Sequence, residues 1–392
     1  MIELLVFILL GVCLGCIAGL IPGLHSSNLT LVLMSYGLIT SQINLIVLII
    51  GMEVAYAFFQ FLSPILFSIS DDLAALAIEP SQYSIKKEFV DKAIKNIVTG
   101  GLIGILLSLP LLLFAQKIYP VIYEGIRPLV GQILMIICIY MVWLEGDWKK
   151  CLFASSIFVL SGILGLLVRD SGFLPSNYLF LPIFLGLYGF SSIIASRRRT
   201  YEIKYETQRE NKIRVSVIAF LSSLFTSFIP SMKRSQAAVI ALQTGKIRQN
   251  EQILFVLSII SLAYITLSIL VLGSTGVVRS IAAYNIREIL GDLYVGQTLL
   301  LIGSLIVAAC VSSVLALLLA NPLSKILSKV NKKYLRMFGF CLGLFLIIIF
   351  TGWKGLLLAF TSTCIGILSI LLKVRSTHLM GVLLLPSIIA ML

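Results

Sequence analysis

Apolar runs of roughly 17–25 residues, the length an α-helix needs to cross a bilayer, recur from one end of the chain to the other. The runs are continuous and do not alternate, which argues against a transmembrane β-barrel. The pattern predicts an all-α polytopic membrane protein with about 9–12 membrane segments. Spans are expected near 43–69, 97–115, 129–146, 150–168 and 177–195. They resume near 252–272, 297–319, 337–351 and 355–372, and a short last segment, Leu379–Leu392, only half-crosses. Residues 4–40 and 213–245 read differently: each is an apolar stretch broken near its middle by a proline, which predicts a re-entrant hairpin.

The two breaks carry one motif. Ile21–Thr30 reads IPGLHSSNLT and Ile229–Ala238 reads IPSMKRSQAA, 208 positions apart. Pro/Gly breaks at corresponding positions of two halves point to a substrate site. The offset persists without gaps. It pairs Gly11, Gly15, Gly19 and Gly23 with Ala219, Ser223, Ser227 and Ser231, two ridges of small residues that allow close helix approach. It also pairs Asp71–Ile78 with Arg279–Ile286, and Gly100 and Gly101 with Ala308 and Ala309. Agreement at three separated places makes this an internal repeat.

Loop charge gives the orientation. Lys86, Lys87, Lys92 and Lys95 follow the Asp71 segment, whereas the counterpart loop, 288–296, has no Lys or Arg. Conversely, Tyr119–Pro128 carries only Arg127, and its counterpart holds Lys329, Lys332, Lys333 and Arg336. If basic loops face the cytoplasm, corresponding loops lie on opposite sides and the repeat is inverted. The expected organisation is a first membrane repeat over 1–195, a basic cytoplasmic linker over 196–212 and a second repeat over 213–392, in the cell membrane with the N-terminus outside. Segments Asp71–Glu79 and Gly273–Arg287 are expected to be partly embedded helices.

Composition narrows the function classes. The 392 residues are 59% hydrophobic with net charge +13, and in so apolar a chain the basic excess marks cytoplasmic loops and not nucleic-acid binding. Met1–Gly23 has Glu3 and no basic start, so it reads as a membrane segment and not as a signal peptide. Cys13 and Cys16 sit among glycines as small packing residues. There is no Walker A motif, HExxH or other metal spacing, and no nucleophile–base constellation; an enzyme and a metal site are not expected.

The motifs GLIPGLHSSN, SISDDLAALAIEP with Lys86 and Lys87, and FIPSMKRSQAA resemble the large membrane subunit of tripartite tricarboxylate transporters, in particular its archaeal relatives of unassigned substrate. The stretches SGILGLLVRDSGF and LFLPIFLGLYGFS share the likeness, which covers most of the chain. Departures are Ser231 where the family favours Gly, Lys233 and Arg234 where small residues are usual, and Ser-Asp-Asp-Leu in the acidic segment. The resemblance implies ion-coupled uptake of an organic anion, with a small membrane subunit and an extracellular binding protein as partners.

The residues themselves suggest how. A half-helix starting inside a membrane presents free N–H groups and partial positive charge, which suits a carboxylate or phosphate. The substrate-site candidates are therefore Gly23, His25, Ser26, Ser27 and Asn28 in the first motif and Lys233, Arg234, Ser235 and Gln236 in the second. Asp71, Asp72 and Glu53 are the candidates for coupling Na⁺ or H⁺, because carboxylates at membrane depth are costly. Gln60 shares Glu53's helical face, and Arg279, Arg287 and Asn285 form a secondary set. The predicted function is secondary transport of a carboxylate-class anion by alternating access, with no cofactor beyond a bound Na⁺. The alternatives are a polyprenyl- or lipid-phosphate translocase, which Lys233–Arg234 would suit, and a membrane-embedded lipid enzyme.

Overall fold

In the computed structural model, residues 2–21, 26–35, 41–62, 73, 87–143, 145–174, 179–195, 211–229, 232, 234–247, 250–329 and 332–391 are described. Among them the chain is helical, with no strand. The first half contains α1 (Ile2–Leu20), α2 (Ser26–Ser35), α3 (Gln42–Phe59), α4 (Lys87–Ser108), α5 (Ala115–Ile126), α6 (Val130–Trp143) and α7 (Trp148–Asp170). It ends with α8 (Phe180–Phe184), a π-helical turn (Leu185–Phe190) and α9 (Ser191–Ala195). The second half contains α10 (Lys212–Phe228), α11 (Arg234–Thr244), α12 (Asn250–Thr275), α13 (Ile281–Leu290), α14 (Val295–Lys329), α15 (Lys332–Leu371) and α16 (Gly381–Met391). Eight helical stretches among the described residues are long and apolar enough to cross a membrane, and two shorter apolar ones, Phe180–Ala195 and Ser376–Met391, accompany them. The chain is a multi-pass membrane protein.

The repeat appears in the element boundaries. α2 and α11 start at 26 and 234, α3 and α12 at 42 and 250, α4 and α14 at 87 and 295, each pair at the sequence offset. The packing exchanges partners in the same way, with α3 against α14 and α12 against α4. The core therefore interleaves the two halves, and α3 and α12 form its centre, with 89% and 94% of their apolar windows buried. α12 is enclosed on every face, with buried Ser258, Ser261, Thr266 and Ser268 set among apolar side chains. A flanking layer holds α7 against α16, and α15 against α8 and the π-turn.

Small residues set the close approaches and reveal helix direction. A Cβ at Gly11 would stand 2.2 Å from Leu48 O, one at Gly15 2.2 Å from Met52 O, and one at Gly19 2.6 Å from Phe59 Cβ, so α1 and α3 run parallel with backbones nearly touching. α2 then runs back: Ser26 meets Glu53 far along α3, while Leu33 and Met34 pack with Leu45 and Ile49 near its start. α3 and α14 are parallel, because Ile43, Ile46 and Val47 share a small apolar cavity with Leu300 and Leu301. α12 opposes them: Gly273 at its far end abuts Thr298 at the start of α14, while Ser261 bonds Gln60 at the far end of α3. Counterpart helices α3 and α12 thus run in opposite directions, the arrangement of an inverted repeat.

Some boundaries differ from expectation. Gly273–Arg287 is not one segment: α12 continues to Thr275, and Ser280 starts α13 by accepting from Ala283 N at 3.1 Å. The loop expected at Tyr119–Pro128 is largely helix, because Ala115 and Tyr119 bury one face of α5 and Tyr119 stacks on Phe228 with ring centroids 4.7 Å apart. The division expected between 337–351 and 355–372 falls at Gly352, whose φ of 61° breaks α15. Asp71 and Asp72, and residues 196–210 of the linker expected over 196–212, lie outside the described residues, and Lys212 already opens α10.

Candidate functional site

The site grows from position 26 of the first repeat and its counterpart, position 234. Each opens a short helix just after a proline break, and each meets the same position of the third helix of its own repeat. Ser26 Oγ donates to a carboxylate oxygen of Glu53. Arg234 Nη1 donates to Ser261 Oγ at 3.2 Å, and 261 is the counterpart of 53. The repeats then meet: Arg234 Nη2 stands 3.9 Å from the other Glu53 oxygen. Gln60 Nε2 closes the group by donating to Ser261 Oγ at 2.9 Å and to Ala57 O at 3.1 Å.

All of this is inside the protein. Glu53 is 8% exposed, and Ser26, Ser261, Gln60, Ser235 and Gln236 are buried. A buried carboxylate is tolerated because one oxygen accepts a hydrogen bond from a hydroxyl and the other faces a guanidinium. Ser235, the next residue along α11, is fully buried and its Oγ has no hydrogen-bond partner among the described residues. Asn285 is buried on the face of α13 that also carries Ala282 and Ile289, and its Nδ2 likewise lacks one. Unsatisfied buried polar atoms are uncommon and call for a physical reason.

A second layer holds the break in the second repeat. Tyr264 Oη donates to Met232 O at 2.9 Å or to Arg279 O at 2.7 Å. Arg279 donates from Nη2 to Phe228 O at 2.8 Å, the last residue of α10, and its guanidinium lies 5.2 Å from the Tyr123 ring centroid. Arg279 thus braces the end of α10, and Arg287 is exposed. Phe228 O is a carbonyl that the end of a helix leaves without an intrahelical donor.

Of the residues the sequence singled out, the fold brings together Ser26, Glu53, Arg234 and Gln60, with Ser235 and Gln236 adjacent along α11. Gly23, His25, Lys233, Asp71 and Asp72 lie outside the described residues, as do the side chains of Ser27 and Asn28. Sequence reasoning missed Ser261, although the repeat offset maps Glu53 directly onto it. It also missed a cluster where the α6–α7 connection meets the turn before α16. There Glu145 Oε1 is 2.9 Å from His378 Nε2 and 3.7 Å from Arg375 Nε. With its amide turned so that the oxygen faces the guanidinium, Gln243 near the end of α11 accepts from Arg375 at 2.7 and 2.8 Å. No sequence spacing announces this cluster.

A profile described as the tripartite tricarboxylate transporter TctA family matches residues 5–381. The chain is also similar to an uncharacterized protein of Methanocaldococcus jannaschii, 24% identical over 405 residues, with 98% of each chain covered. No solved structure matches it.

Proposed function

The chain belongs to the tripartite tricarboxylate transporter TctA family, and from that premise we propose that it carries a carboxylate-class organic anion across the cell membrane by alternating access. The observation that carries this reading is the meeting of the starts of α2 and α11 around Glu53, Arg234 and Ser261 at the interface of two antiparallel halves. Arg234 supplies a planar cationic donor suited to a carboxylate. Ser235 supplies, one residue away, a buried hydroxyl that has no hydrogen-bond partner among the described residues. α2 spans only ~15 Å, half the thickness of a bilayer core. It therefore acts as the returning arm of a re-entrant hairpin, with its start near mid-depth. The two halves rock about the shared site, and the family's tripartite design supplies a small membrane subunit and an extracellular binding protein that delivers the anion.

Ser235→Ala tests the site. A hydroxyl buried without a partner costs about 1–3 kcal/mol, so its removal is expected to leave the protein at least as stable in thermal unfolding. Citrate uptake into proteoliposomes is expected to fall about tenfold, the loss of roughly one ligand hydrogen bond. Uptake equal to wild type would remove Ser235 from the site, and lost stability would mean that the hydroxyl has a structural partner.

A further inference from the structure

We propose that Glu53 is the proton-coupling group of this site, and that it works by competing with the transported carboxylate for Arg234. The inference rests on the reading that Arg234 holds the anion. It concerns the coupling ion, which membership of the family leaves open.

The argument begins with charge. Glu53 and Arg234 face each other at 3.9 Å across the boundary between the repeats. The pair is neutral as a unit, as a buried ion pair must nearly be. A carboxylate that approaches Arg234 while Glu53 is ionised puts two negative charges on one guanidinium in a poorly solvated place, and like charges so placed repel strongly. If Glu53 takes up a proton, its carboxyl is neutral and the Arg234 charge is free. One carboxylate of the substrate then replaces the one lost from Glu53, and the Arg234 charge is again balanced. The step is an acid–base exchange in which H⁺ adds to a Glu53 oxygen and no other bond forms or breaks. Either the Glu53–Arg234 pair or the protonated, anion-loaded site crosses between the two orientations, which ties one proton to one anion.

The groups around Glu53 suit Na⁺ poorly. One oxygen accepts from Ser26 Oγ and the other faces the guanidinium. A sodium ion seeks several oxygen donors and would sit beside the fixed positive charge of Arg234. The repeat offers one such exchange and not two. At the counterpart positions the acid becomes Ser261 and Ser26 becomes the base, so positions 26, 53, 234 and 261 hold one acid and one base between them.

Other titratable groups on the helices packed against α3 are engaged or distant in kind. Glu3 on α1 accepts from Asn44 Nδ2 at 2.6 Å, at the opposite end of α3. Tyr264 on α12 donates to backbone carbonyls. Cys16 on α1, Asp91 and Lys95 on α4, and Arg287 and Glu288 on α13 form no ion pair or hydrogen bond with Glu53. Arg234, from α11, is its charged partner among the described residues.

The test is citrate binding by the full-length protein in nanodiscs, measured by calorimetry from mildly acidic to mildly alkaline pH, for wild type, E53Q and R234Q. Citrate's own titration is common to all three, so the difference between wild type and E53Q isolates Glu53. Wild-type affinity is expected to rise on acidification more steeply than that of E53Q, by up to about tenfold per pH unit. At alkaline pH, E53Q is expected to bind more tightly than wild type, because Arg234 is no longer claimed. R234Q is expected to bind about a hundredfold more weakly than wild type. In a second readout, adding citrate in weakly buffered solution is expected to draw more protons from the medium with wild type than with E53Q. Superimposable pH profiles for wild type and E53Q, or equal proton uptake by the two on citrate binding, would overturn the proposal while leaving the anion site intact. Absence of citrate binding by wild type at every pH would instead overturn the anion-site reading, and this inference with it.

Discussion

The hairpin that opens the first half and the one that opens the second have the same plan and different chemistry. In the first, the ridge of α1 is glycine, and Gly11, Gly15 and Gly19 bring its backbone against α3. In the second, the same ridge is Ala219, Ser223 and Ser227, all buried, and Ser223 Oγ returns its proton to Ala219 O at 3.0 Å. At the next break the first half places a serine opposite an acid, Ser26 and Glu53. The second places a base opposite a serine, Arg234 and Ser261. The difference teaches that the repeat preserves geometry while dividing the charges. Neither half holds the ion pair alone, which exists only where the halves meet.

The ridge gives the largest expected contrast. Gly15→Ala would place a methyl 2.2 Å from Met52 O, and backbone cannot step aside as a flexible side chain can. The expected loss is about 3 kcal/mol, at the upper end for an overpacked contact. Ser223→Ala, its counterpart, removes one intrahelical hydrogen bond and is expected to cost about 1 kcal/mol or less. Thermal unfolding of the two variants side by side decides this. Equal losses would mean that the two halves pack their first helices alike.

The charges give the next contrast. Arg234→Gln removes the cation and leaves Glu53 buried without its partner, so citrate uptake is expected to fall about a hundredfold, the scale of truncating one member of a buried charge pair. Ser26→Ala, at the counterpart position, removes one hydroxyl from Glu53 and is expected to reduce uptake about tenfold or less. Proteoliposome uptake with matched protein loading measures both. If Ser26→Ala proved the more damaging, the first half would carry the site and the division of charge would be wrong.

How much of this was readable in advance varies by residue. The span pattern and the repeat were legible, because bilayer thickness fixes helix length and because the ungapped offset later reappeared in the starts of α2 and α11. Glu53 was legible as an isolated acid in an apolar run, and Gln60 as its neighbour on one face. The pairing of Glu53 with Arg234 was not. They lie 181 positions apart, and their contact depends on two antiparallel halves interleaving around α3 and α12. Arg279 was legible as a buried cation but not in its role. That depends on the end of α10 presenting Phe228 O toward α13's leading segment, a tertiary fact. The Glu145 cluster was invisible for the same reason: His378 is more than two hundred residues away from Glu145 in the chain.

That cluster gives the smallest contrast, and it extends the comparison to the far end of α11. Arg234 stands at the start of this helix, while Gln243, near its end, is held by Arg375, which Glu145 in turn positions. Burial raises the affinity of the Glu145 carboxyl for a proton, but the hydrogen bond to His378, the charges of Arg375 and His378 and the backbone N–H of Arg375 outweigh it and hold its pKa below the ordinary 4.5. A carboxylate with a depressed folded pKa contributes its full stability above the unfolded value and loses it as pH falls through the folded one. Glu145→Gln is therefore expected to cost about 1–2 kcal/mol near neutral pH, the worth of a hydrogen bond to a charged group. The gap between variant and wild type is expected to narrow as the pH drops below about 4.5, where the unfolded chain's carboxyl protonates first. Thermal unfolding across that range measures the gap, and a gap that stays constant in acid would show that the Glu145 charge contributes nothing. If the gap closes while citrate binding by Glu145→Gln at neutral pH stays within about twofold of wild type, the anchor serves the fold alone. If binding falls further than that, the fixed far end of α11 is part of what places Arg234 beside Glu53, and the asymmetry of the halves includes how firmly each site helix is held.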